Sequence, residues 1–223
     1  MPHHSDWSFL VLVLTYGAYV GMRLGYPKKF AAFRASIMGV GQLMGQGRRE
    51  EVLTDRFNLL RNLTYFSLVP LSLLLALRAS EGDRIHASDW KWYLFLLVLV
   101  GGVISLQRVL SLLFAWVLDR AELFVEHFYV RDHIGQWVMV PLLPLCVLGV
   151  FYDPLGPGIA WICVGAIAAF HVLGLVQSLS ILEVRTPLGL GWVLLYLCAS
   201  EILPWWMVVE AVQNHWGLAR FDL

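Results

Sequence analysis

Apolar runs of about 20 residues recur along this chain, and they decide most of what it can become. A hydrocarbon layer about 30 Å thick is crossed by roughly 20 helical residues. With no water there to satisfy backbone N–H and C=O groups, a chain inside it closes its own hydrogen bonds, and it does so most simply as helix. Six stretches meet the requirement, about 7–22, 58–77, 92–117, 137–152, 158–177 and 190–212. Hydrophobic residues make up 59% of the chain and charged ones 14%, with a mean hydropathy of +0.68, so the apolar excess is spread through the sequence rather than gathered in one segment. The expected fold is all-α, a polytopic transmembrane helical bundle of about six spans forming one integral-membrane domain over residues 1–223.

Cationic loops are retained in the cytoplasm, so the positions of Lys and Arg set the orientation. Arg23, Lys28, Lys29, Arg34, Arg48, Arg49, Arg56, Arg61, Arg120, Arg131 and Arg185 fall on one side, against Arg78, Arg84, Lys91 and Arg220 on the other. That asymmetry predicts an N-out, C-out protein of a bacterial inner membrane. Trp7, Trp90, Trp92, Tyr152 and Trp161 mark the outer edges, and Trp116, Trp137 and Trp192 the inner ones. The N-terminal stretch MPHHSDW lacks the basic region of a secretory signal, so the first apolar run is read as a retained span. Lys plus Arg equals Asp plus Glu at 16 each, which gives no basic surplus for nucleic acid. The partners expected are the lipid bilayer and a membrane protein or a second copy of the chain.

Two inner connections carry more than a turn. Across residues 28–44, Phe30, Phe33, Ile37, Val40 and Met44 recur at helical spacing beside Lys28, Lys29 and Arg34, the pattern of a cytoplasmic amphipathic helix lying in the interface. From Trp90 to Ile134 no proline intervenes, which predicts that the third span continues to Gly135. On that extension Asp119, Glu122 and Glu126 share a face, followed by His127, Arg131 and Asp132; no spacing matches a metal motif, and a solvated, ion-paired face is expected.

The polar residues inside apolar runs are the candidates for function. Glu201 lies about 16 Å along the last span, near the midplane, and a carboxylate there must be protonated, paired or beside water. Pro204 frees the carbonyl of Ser200 within the same turn. Arg108, with Gln107 beside it, is the expected partner of Glu201, and His171 and Cys198 fall at similar depth. A His171–Cys198 thiol–imidazole couple lacks a third, orienting group. Haem held by two histidines lacks a second deep one, since His133 is near the inner edge. No metal site and no cofactor are predicted, and no catalytic residue is assigned. Cys146, Cys163 and Cys198 show no paired spacing and read as small packing residues.

Several stretches together carry a resemblance: RLGYPKKF after the first span, RREEVLTDRFNLLRN leading into the second, HIGQWVMVPLLPL opening the fourth, and LYLCASEILPWW in the last. On these the chain resembles a family of polytopic inner-membrane proteins of Bacteroidota known as domain of unknown function 4271. The resemblance implies a membrane protein of unassigned activity and carries no catalytic residues with it. The reading that follows is a non-enzymatic scaffold or assembly component of an envelope complex. The alternatives are a small proton-coupled or transport protein using Glu201, Arg108 and His171, and an intramembrane enzyme or haem protein.

Overall fold

A computed structural model describes residues 6–35, 56–81, 89–117, 119, 121–152 and 156–185, with short helical pieces between 191 and 210. Among these residues there are helices and no strands. In chain order they are α1 (Asp6–Gly25), α2 (Pro27–Ala35), α3 (Arg56–Glu81), α4 (Asp89–Val117), α5 (Ala121–Gln136), α6 (Met139–Phe151) and α7 (Gly156–Arg185). Among the described residues, five stretches are long and apolar enough to cross a membrane: Trp7–Gly25, Arg56–Ser80, Trp90–Val117, Val130–Phe151 and Gly156–Gln177. The fourth runs from α5 through the Trp137–Val138 turn into α6. Most of the sixth expected span, 190–212, lies outside the described residues, as does the orientation-setting stretch 36–55.

α3 is the central helix. Its apolar window is 56% buried, against 28% for those of α1, α4 and α7, and it packs on α1, α4, α6 and α7. Leu68, Val69, Leu71 and Leu74 are its core residues, and because 68, 71 and 75 face one way while 69 and 76 face another, apolar neighbours surround it. Pro70 removes the bond to the Phe66 carbonyl yet α3 continues through it, as apolar packing allows. The hydroxyls along the bundle are satisfied without leaving their helices. Thr15, Thr64, Ser67 and Ser72 each donate to the carbonyl four residues back, at 2.7–2.9 Å.

The third expected span does not continue to Gly135. α4 stops at Val117, and Asp119 adopts a left-handed backbone, φ 50°, with its N–H on the Trp116 carbonyl. Aspartate is among the few residues that accept this conformation readily, so one residue replaces the missing Pro or Gly as the stop. α5 then packs against both α4 and α7. Of the expected solvated face, Asp119 is exposed and the side chains of Glu122 and Glu126 lie outside those described, while the residues that follow them, His127 and Arg131, are buried at 0% and 6% exposed.

α5 and α7 approach closely because Gly174 is a glycine. A Cβ there would stand 3.0 Å from the Arg131 carbonyl oxygen, a backbone atom that cannot swing aside. Small residues at such crossings let membrane helices approach backbone to backbone.

α2 confirms helix over the first half of the 28–44 expectation; Ile37, Val40 and Met44 lie outside the described residues. Phe33 is 2% exposed and stacks on Trp137 with centroids 5.0 Å apart, while the Trp137 indole N–H donates to the Phe33 carbonyl at 2.8 Å. Lys28, Lys29 and Arg34 stay exposed on the other side. Phe30 adds an edge-to-face contact with Tyr19 of α1 at 5.5 Å, so two aromatic side chains hold the segment to the bundle.

Candidate functional site

Polar side chains gather where the start of α3 meets α4, α5 and α7. On α3, Asn58, Arg61, Asn62 and Tyr65 stand at i, i+3, i+4 and i+7 and so share one face. α5 supplies Arg131, Asp132, His133 and Gln136, α4 supplies Gln107 and Arg108, and α7 supplies His171. Arg61, Tyr65, Gln107, Arg131, His133 and Gln136 are all under 9% exposed. Groups this deep are costly unless they pair.

They pair with one another. Arg61 Nη1 lies 3.1 Å from His133 Nδ1, and its guanidinium sits over the Phe33 ring at 5.7 Å. A guanidinium has no acceptor, so His133 Nδ1 must accept and the neutral ring carries its proton on Nε2. Gln136 Nε2 donates to Asn62 Oδ1 at 2.8 Å. Arg108 donates to Asp132 Oδ2 at 3.1 Å, and Arg131 to Asp132 Oδ1 at 3.4 Å.

His171 is oriented by two contacts. Its Nδ1 lies 3.1 Å from the Ile167 carbonyl, which only accepts, so Nδ1 bears the proton. Nε2 then accepts from the Tyr65 hydroxyl at 3.4 Å. Trp205, in a short described piece of the last segment, meets the ring edge to face at 5.6 Å. Tyr65 and His171, with Gln107, Arg108, Asp132 and Gln136, border a cavity of about 20 Å³. That is room for about one water molecule.

A comparison with family models matches residues 8–212 to a family described as Domain of unknown function (DUF4271). The chain belongs to that family. No curated protein and no solved structure matches the DUF4271 chain. Its residues therefore have to be read from their own geometry.

Of the residues singled out from sequence, the DUF4271 bundle brings Gln107, Arg108 and His171 together around this cavity. Arg108 pairs with Asp132, which the turn at Asp119 brings back along α4 on α5; the expected pairing of Arg108 with Glu201 falls on a residue outside those described. Pro204 is buried, whereas Cys198 is exposed. The two His171 ring nitrogens face Tyr65 and the Ile167 carbonyl. Cys146 and Cys163 are fully buried packing residues, the former 3.1 Å from the Ser72 hydroxyl. Among the described residues no group of three or more His, Cys, Asp or Glu is arranged to hold a metal ion.

Sequence reasoning passed over Asn62, Tyr65 and Gln136 and weighed His133 only as a haem ligand. The signal was present on α3, where four polar or aromatic residues repeat at helical spacing just inside an apolar run. Arg61 was counted only toward orientation, although a cation that far into a span needs a partner inside the bundle.

Proposed function

We propose that this DUF4271 protein is a multi-pass protein of the bacterial inner membrane, N-out and C-out with a sixth span over 190–212, that serves as a non-catalytic scaffold or assembly component of an envelope complex. The observation that carries this reading is the way the inner-end polar residues spend their hydrogen bonds on each other. Arg61 with His133, Gln136 with Asn62, Arg108 and Arg131 with Asp132, and Tyr65 with His171 tie four helices together. The cavity bordered by Tyr65, Arg108, Asp132 and His171 is small, about 20 Å³. Polar groups used in this way act as glue between membrane helices. Exposed Arg23, Lys28, Lys29, Arg34 and Arg56 around α2 support a cytoplasmic placement of that end.

Purification from native membranes in mild detergent tests the reading. A scaffold is recovered in fixed stoichiometry with another membrane protein or a second copy of itself, through successive washes. Recovery of a solitary monomer under conditions that preserve other envelope complexes contradicts it.

A second reading is favoured by one observation: Tyr65, His171 and Asp132, all groups that exchange protons, border the same water-sized cavity. A proton-coupled protein would use them, and it predicts proton movement across liposomes that the scaffold does not.

A further inference from the structure

From Trp7 to Arg49 the chain carries six cationic side chains and no Asp or Glu, and the Glu50, Glu51 and Asp55 that follow still leave the stretch through Arg56 four charges positive. Arg23 at the end of α1, Lys28 and Arg34 on α2, and Arg56 at the start of α3 are exposed, and none of the four makes an ion pair among the described residues. α2 is held so that it cannot turn its cations inward. Phe33 stacks on Trp137, and Phe30 meets Tyr19 of α1. Residues 19 and 30 of a straight helix would stand about 16 Å apart along its axis, so the 5.5 Å contact shows the chain bending at Pro27. Phe57, next to Arg56, packs on both Tyr26 and Phe33, which brings the start of α3 beside α2. With its aromatic rings spent on the bundle, α2 exposes only Pro27, Ala31 and Ala32 besides its cations. That is too little apolar area to insert among acyl chains, so charge is what this face offers.

The apolar stretch of α1, Trp7–Gly25, rises about 28 Å, nearly the thickness of a hydrocarbon layer. Its end therefore reaches the headgroups, and α2 starts two residues further on. We propose that α2 and the adjoining ends of α1 and α3 form a docking surface for anionic phospholipid headgroups, with Lys28 and Arg34 as its principal contacts and Arg23 and Arg56 at its margins. A headgroup phosphate accepts from ammonium and guanidinium donors alike, and a net negative lipid relieves the repulsion among four neighbouring cations. An acidic protein segment is the poorer occupant, because the surface lies at the level where lipid phosphates are already concentrated. The inference rests on α1 crossing the membrane and not on the scaffold role.

Native mass spectrometry of the full chain in detergent, titrated with phosphatidylglycerol or with phosphatidylcholine, tests the proposal. The wild-type protein is expected to bind phosphatidylglycerol about tenfold or more tightly than phosphatidylcholine, and excess inorganic phosphate is expected not to displace it. Lys28→Gln combined with Arg34→Gln is expected to weaken phosphatidylglycerol binding about tenfold and to leave phosphatidylcholine unchanged. Lys91→Gln is the charge-matched control: Lys91 is exposed near Tyr93, which packs on Trp7 at the opposite end of α1, and its loss is expected to leave the preference intact. Equal binding of the two lipids by the wild-type protein overturns the proposal, and that measurement does not depend on any variant folding. A preference that survives the double substitution, or that Lys91→Gln removes as completely, overturns it too. Displacement by inorganic phosphate would make the surface a site for free anions and overturn the lipid assignment.

Discussion

Asp132 stands between two arginines, with Arg108 3.1 Å from one carboxylate oxygen and Arg131 3.4 Å from the other. The three are not equally protected: the side chains are 21%, 41% and 7% exposed for Asp132, Arg108 and Arg131. An exposed pair contributes about 1 kcal/mol or less, whereas a buried guanidinium that loses its carboxylate costs several times that. Asp132→Asn is therefore expected to destabilise by about 1–3 kcal/mol and Arg108→Gln by about 1 kcal/mol or less. Denaturant titration in detergent checks the order; equal losses would place the burden on the wrong arginine.

His133 is tied to Arg61 as an acceptor, which fixes what can replace it. Asparagine offers a carbonyl oxygen near the position of Nδ1, and leucine offers none. His133→Leu is expected to cost about 1–3 kcal/mol through the buried guanidinium donor it strands, with His133→Asn recovering much of that. Thermal unfolding of the two variants side by side reads the difference.

Gly174 is where α7 meets the backbone of α5. Gly174→Val is expected to destabilise by about 2 kcal/mol or more, because its Cβ meets the Arg131 carbonyl at 3.0 Å. Gly149→Ala is the control, since its Cβ meets side-chain atoms of Leu75 at 3.1 Å and Ile159 at 3.4 Å that can move. Its loss in the same unfolding measurement is expected to be the smaller of the two.

Phe33 anchors α2 to the bundle. Phe33→Ala is expected to cost about 3–5 kcal/mol and to release the segment, seen as faster amide exchange over Pro27–Ala35. Trp137→Phe keeps the stacking and removes the indole donor, so its loss is about 1 kcal/mol.

The long helices were legible because an apolar run of span length leaves the backbone little alternative. What could not be read was where the chain turns. The stop after Val117 rests on a single left-handed aspartate, a conformation that any Asp can take and few do. Every pairing that depends on that fold-back was hidden with it, including that of Arg108 with Asp132. Gln107, Arg108 and His171 were found because a polar residue in an apolar run is conspicuous. Arg61 and Tyr65 were missed for a different reason: near a span's end they look like interface residues, and only the packing of α5 over them makes them interior. The 28–44 helix was visible in its periodicity, but nothing in the sequence distinguished Phe33 as the residue that docks.

Proton flux through purified protein in liposomes bears most directly on the claim that the polar cluster shared by α3, α4, α5 and α7 is a structural joint. With a pH gradient imposed and a trapped pH-sensitive dye, proteoliposomes are expected to lose the gradient no faster than protein-free vesicles of the same lipid, and His171→Gln is expected to change nothing. Faster collapse that His171→Gln or Tyr65→Phe abolishes would contradict the account and make these residues a working proton path.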